Sequence, residues 1–206
     1  MDTKLNLASS LSECECIFQS DTLTVYRTNQ ALLINDDFAK ILARWRNENS
    51  EYFVTQVPTN PEKTKAWLKY NFANKTANMF FIVVDRPKNN MVGHFGISAR
   101  DIHSTSFDVH SVLRGEKSSG KYLMHDALDQ ALNYCQQTFG IRKFCVNCFE
   151  TSISALNLYK RLKFKEKNFI YLIKSPLRGG YKWIKSDVKK DGAIRMFQLE
   201  LQKDMQ

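Results

Sequence analysis

No stretch of this 206-residue chain approaches twenty consecutive apolar residues, and its start shows no basic segment leading into an apolar one. Neither a membrane-spanning helix nor a secretory leader is expected, and the expected location is the cytoplasm. There is no run of five or more basic residues, no internal repeat and no low-complexity segment. The five cysteines cannot all pair within one chain. Cys145 and Cys148 fall inside a predicted strand rather than on a metal-binding turn. They read as buried thiols of a reduced compartment, with Cys14 and Cys16 as an isolated pair. No metal cluster, Ser/His/Asp grouping or Walker-type loop is present.

What is present is enough apolar material for one sizeable core, at 43% hydrophobic residues, and one domain is the economical division. A formal charge of +9 favours an anionic partner: nucleic acid, a membrane surface or a phosphate-rich cofactor. Solvated lysines around a single anion site account for it as well.

Residues 107–164 carry the densest pattern. Residues 107–113 are rich in β-branched and aromatic side chains and stop at Arg114 and Gly115, which predicts a strand ending in a turn. From Gly120 on, Leu123, Met124, Ala127, Leu128, Ala131, Leu132 and Cys135 recur at helical spacing. Residues 143–149 return to strand-like composition, and a short helix from Ser152 follows. Strand, crossover helix and strand make a βαβ unit with parallel strands. At the helix start, unpaired backbone N–H groups and the positive end of the macrodipole face outward. Small residues Ser118, Ser119 and Gly120 admit a phosphate there, and Arg114, Lys117 and Lys121 add three cations, which suits a pyrophosphate.

In order, these features resemble the GNAT superfamily of acetyl-CoA-dependent N-acetyltransferases. Its first motif is a strand followed by (Arg/Gln)-x-x-Gly-x-(Gly/Ala) at the opening of a long helix. Here Gly115, Ser118 and Gly120 hold those three positions, with Arg114 one residue early. Its second motif, Asn-x-x-Ala-x-x-x-Tyr and then Gly-Phe, is matched by Ser152, Ala155, Tyr159, Lys163 and Phe164. The resemblance implies an α+β fold, a single mixed, largely antiparallel twisted sheet with a central parallel βαβ unit and helices on both faces. Residues 1–20 would be an N-terminal extension and residues 21–206 the single domain.

The rest of the chain has the order of elements that fold requires. A strand at residues 23–26 precedes a helix capped by Asn35, Asp36 or Asp37, with Phe38, Ile41, Leu42 and Trp45 as its apolar stripe. Asn60 and Pro61 open a second helix, whose Trp67, Leu68, Tyr70 and Phe72 mark an aromatic face. Residues 79–84 and 91–97 form a predicted hairpin. Residues 164–174 continue as a strand, residues 175–180 read as a breaker, a lysine-bearing segment follows, and residues 193–201 close as a strand.

The resemblance implies acetyl-CoA as cosubstrate, held by Val112, Leu113, Arg114, Gly115, Lys117, Ser118, Ser119, Gly120, Lys121 and Ser152. A backbone N–H of Val112 or Leu113 would hold the thioester oxygen. Tyr159 would protonate the departing thiolate, since free tyrosine titrates near ~10, close to an alkyl thiol. The base would come from Asp108 and His110, which share a strand face by the period of two, with His110 first and with His94 and Glu150 in reserve. No metal is expected. The acceptor is a primary amine, and the family members that acetylate nucleotide-linked amino sugars look most similar. Arg44, Arg46 and Arg178, with the lysines from Lys182 to Lys190, would then meet a diphosphate, and Trp45, Tyr52 and Phe53 would stack against a base or sugar face. A protein or peptide N-terminus is the alternative acceptor. A basic nucleic-acid-binding module is the non-enzyme alternative; it is disfavoured because most aromatics fall on predicted core faces, and no nucleic-acid partner is expected. A monomer or homodimer without membrane insertion completes the expectation.

Overall fold

The computed structural model describes residues 7–73, 75, 77–99 and 106–203. Along them run α1 (Leu7–Ser12), β1 (Glu15–Gln19), β2 (Leu23–Arg27), α2 (Gln30–Leu33), α3 (Asp36–Glu48), β3 (Thr55–Gln56) and α4 (Pro61–Leu68). Then come β4 (Asn78–Asp85), β5 (Asn90–Ala99), β6 (Ser106–Arg114), α5 (Leu123–Phe139), β7 (Lys143–Phe149), α6 (Ile153–Arg161), β8 (Lys165–Leu177), β9 (Gly180–Ser186) and β10 (Ile194–Gln202). The strands form one sheet in the order β1-β2-β4-β5-β6-β7-β10-β8-β9-β3. All neighbours run antiparallel except β6 and β7, the two ends of the crossover through α5.

The strand β4 shows why helices cover both faces. Between its polar ends, Asn78 and Asp85, it is apolar at every position, so its period of two supplies two cores. Met79, Phe81 and Val83 pack with Leu128, Ala131, Leu132 and Tyr159 from α5 and α6. Phe80, Ile82 and Val84 pack with Phe38, Leu42, Trp45 and Leu68 from α3 and α4. The caps follow the sequence: Asn35 accepts the Phe38 N–H at 2.9 Å and Asn60 accepts the Lys63 N–H at 2.8 Å, with Pro61 in the first turn. At the other end of α5, Gly140 takes the left-handed conformation (φ 68°) that ends the helix.

Several boundaries differ from the sequence-based expectation. Residues 15–19 pair along β2 as the outermost strand, so the sheet begins inside the segment expected to be an extension. The helix expected from Gly120 begins at Leu123, because the preceding residues spend their backbone groups on contacts outside the helix. Residues 175–180 do not break the sheet. Gly179 (φ 83°) turns the chain, Pro176 faces Tyr181, and the lysine-bearing segment returns as β9. After α4 the chain widens into a π-turn, Lys69–Ala73, which buries Phe72 and leaves Tyr70 69% exposed.

Candidate active site

One local irregularity opens the sheet. Opposite the single residue Phe95 of β5, the strand β6 carries two residues, Ser111 and Val112, and Ser111 lies in the left-handed region at φ 52°. This β-bulge bends β6. The parallel pairing of β6 with β7 runs from Ser106↔Lys143 only as far as Val109↔Val146. Beyond that point the strands diverge, and a cavity of about 910 Å³ fills the gap. Its walls are the ends of β6 and β7, the turn at 114–122, the starts of α5 and α6, and residues 49–54 after α3.

The proton-transfer candidates meet here. Asp108, His110 and Tyr159 all line the cavity. His110 has Nε2 2.8 Å from Ser98 Oγ and Nδ1 3.2 Å from Ser111 Oγ, and its ring stacks on Phe72 at 5.7 Å. Gly96 makes the room, since a Cβ there would lie 2.6 Å from the imidazole Cε1. Burial pushes the His110 pKa below its ordinary value, and the charge of Asp108 opposes that only in part. His110 is therefore neutral at pH 7, as a base must be. Tyr159 is 4% exposed, packs edge-on against Phe164 at 5.7 Å, and burial raises its pKa. Its hydroxyl stays protonated, as a proton donor must.

Part of the cavity lining is cationic. Arg114, Ser118 and Lys121 belong to it, together with Arg161 from the last turn of α6. Arg161 and Lys121 lie over the Tyr122 ring at 4.7 and 5.5 Å, so one aromatic side chain draws both cations together. Val112, Leu113 and Ser152 also face the cavity. Gly115, Lys117, Ser119 and Gly120 do not line it. The Gly115 amide bonds Val92 O at 2.9 Å, and a Cβ there would sit 1.8 Å from the Trp45 indole. Lys117 O accepts from Lys88 Nζ at 3.2 Å, and the Ser119 amide donates to the Asp85 carboxylate.

Of the residues nominated for the acceptor, Tyr52 and Phe53 line the cavity, whereas Arg44, Trp45, Arg46 and Arg178 do not. Trp45 is 1% exposed, stacked on His94 at 6.2 Å, with its Nε1 donating to Glu116 at 3.0 Å. Arg44 pairs with the same carboxylate at 2.5 Å. Arg46 donates to Thr55 O and lies over Phe53 at 3.6 Å, and burial lowers its pKa to about 10. Arg178 sits on the exposed β8–β9 turn. Of the reserve bases, His94 lies beneath the cavity, where burial lowers its pKa to about 3, and Glu150 is engaged by Arg195 at 2.8 Å. What the sequence did not single out in the lining includes Asn147, Cys148, Phe149 and Met196, as well as Arg161. Burial pushes the Cys148 thiol up to about 12. No local pattern marks these residues, because they come from three separate segments. Among the described residues no cluster of ligating side chains suits a metal ion.

The model of a GNAT acetyltransferase domain matches residues 31–165. No curated protein matches the chain by sequence. Solved structures do. A ribosomal L7/L12 alpha-N-protein acetyltransferase superposes with a TM-score of 0.66 at 15% identity, covering 92% of this chain and 94% of that one. The ribosomal-protein-S5-alanine acetyltransferase of Vibrio fischeri gives 0.63 at 15% identity, covering 91% and 96%. A putative acetyltransferase of Salmonella typhimurium, solved with acetyl-CoA, gives 0.63 at 10% identity, covering 90% and 96%.

Proposed function

As the chain belongs to the GNAT acetyltransferase family, we propose that its bulge-opened cavity is where an acetyl group passes from acetyl-CoA to a primary amine at a peptide N-terminus. The enzyme is an acetyl-CoA-dependent N-acetyltransferase; the residue roles and the acceptor are the proposal. The observation that carries them is that one cavity is lined by His110 and Tyr159 and also by Arg114, Lys121 and Arg161, cations that a pyrophosphate would meet.

In this reading the cations hold the pyrophosphate and the thioester passes between β6 and β7. The β6 edge beyond Val109 has no neighbouring strand on that side among the described residues, so a backbone N–H from Val112 or Leu113 can polarise the thioester carbonyl. The neutral amine attacks that carbon and the C–N bond forms. Neutral His110 takes the proton the amine gives up. The C–S bond then breaks and the thiolate takes its proton from Tyr159.

The choice of acceptor is supported by the rest of the lining. Tyr52, Phe53, Phe149 and Met196 give the cavity an apolar and aromatic wall, and Asp108 lines the same cavity, which fits the start of an extended chain carrying an ammonium group. Two of the structurally similar enzymes are named for protein acceptors. A nucleotide-linked amino sugar is the second reading, favoured by Arg178 and Lys182, exposed on the β8–β9 hairpin that pairs with β3 next to the wall. Acetyl-CoA supplied with a peptide bearing a free N-terminus, with the same peptide blocked, or with a nucleotide-linked amino sugar tests the choice by thiol release. Release with the free peptide alone is expected. Release with the sugar nucleotide and not with peptides would move the assignment to the second reading.

A further inference from the structure

The turn at 114–122 carries cations to the cavity, yet several of its own backbone groups are committed elsewhere, and they define what holds it. Gly115 and Glu116 donate to Val92 O at 2.9 and 3.2 Å. Glu116 is fixed by Trp45 and Arg44 from α3. Lys117 O is held by Lys88 from the β4–β5 turn. The remaining anchor is a side-chain carboxylate. Asp85, the last residue of β4, is completely buried, and its carboxylate accepts the Ser119 amide through Oδ2 and the Lys88 amide through Oδ1 at 3.4 Å.

A buried carboxylate beside an anion-binding turn works against the anion by simple repulsion. It is tolerable where its hydrogen bonds accomplish something the neutral chain cannot. The Ser119 amide lies between Ser118 and Lys121, which line the cavity, and Ser119 itself does not. Fixing that amide away from the cavity sets the direction in which the flanking residues face. We propose that Asp85 is a positioning residue for the cofactor: by holding the Ser119 amide it fixes Ser118 and Lys121 against the pyrophosphate, without touching acetyl-CoA itself. This rests on the placement of the pyrophosphate at the 114–122 turn given under the proposed function.

Two acyl donors separate this role from general support of the fold. Acetyl-CoA carries the pyrophosphate, and S-acetylpantetheine carries the same thioester without it. A charge-assisted hydrogen bond of this kind is worth about a tenfold change in affinity. Asp85→Ala and the milder Asp85→Asn are expected to raise KM for acetyl-CoA by about tenfold or more, with kcat little changed, and to leave kcat/KM for S-acetylpantetheine near wild type. Lys121→Ala serves as the reference. If Lys121→Ala discriminates between the donors and both Asp85 variants do not, the positioning role is overturned while the pyrophosphate site stands. If Lys121→Ala fails to discriminate as well, the turn is not the pyrophosphate site. Equal losses with both donors in both Asp85 variants, or tighter acetyl-CoA binding, would also overturn the inference.

Discussion

The roles proposed for Tyr159 and His110 are opposite, and burial suits each to its own. A low-dielectric surround disfavours the charged form of both, keeping the phenol protonated and the imidazole neutral. Tyr159→Phe keeps the ring against Phe164 and removes only the hydroxyl, so kcat should fall by about a hundredfold while the Kd for CoA stays nearly constant; an unchanged kcat would return Tyr159 to a packing role. For His110 the lowered pKa moves the pH profile. kcat/KM should rise through an inflexion below pH 6.5, the ordinary histidine value, and that limb should vanish in His110→Gln. His94 bears on stability instead. Its pKa falls from 6.5 unfolded to about 3 folded, so below pH 6.5 the unfolded chain binds the extra proton. Stability is then full above pH 6.5 and declines as the pH drops towards 3, by roughly 1.4 kcal/mol per pH unit at most for this one group. Urea midpoints of wild type and a folded His94→Phe protein across that range would reveal it: the variant should lose stability less steeply.

Among the elements, the 114–122 turn and the β6 bulge matter most, and both depend on residues far from the chemistry. Gly115 is required by contact rather than by its backbone angle, because Trp45 occupies the space a side chain would need. Gly115→Ala should therefore displace the turn or the indole and lower stability by about 1–3 kcal/mol, read as a fall in melting temperature together with weaker CoA binding. An unchanged melting temperature would mean that the Trp45 contact yields freely. The same contact explains why Trp45, an obvious candidate for stacking on an acceptor, belongs to the packing beneath the site.

For the whole molecule, the net charge of +9 is spread over the surface, and many of its members are paired or exposed on the β8–β9 hairpin. The cations proposed to hold the cofactor are Arg114, Lys121 and Arg161, all in the cavity lining. KM for acetyl-CoA should therefore rise with ionic strength between 50 and roughly 500 mM salt, within the range where screening over a Debye length takes effect, and the dependence should be shallower in Arg161→Gln. Equal salt slopes would remove Arg161 from the cofactor site.

The order of elements, the caps at Asn35 and Asn60 and the βαβ unit were legible in the sequence, because each is written in local spacing: period two for strands, three to four for helices, and a capping side chain beside the amide it serves. The cationic turn and the Tyr159 position were legible for the same reason, as short patterns within one segment. The bulge at Ser111 was not, since a left-handed serine leaves no compositional trace, and without it the parting of β6 from β7 cannot be foreseen. Nor could sequence spacing tell Arg44 and Arg46, spent on Glu116 and Thr55, from Arg161, which reaches the cavity from α6. Which of many similar cations faces the site depends on contacts between residues far apart in the chain, and only the packed sheet and its helices fix those.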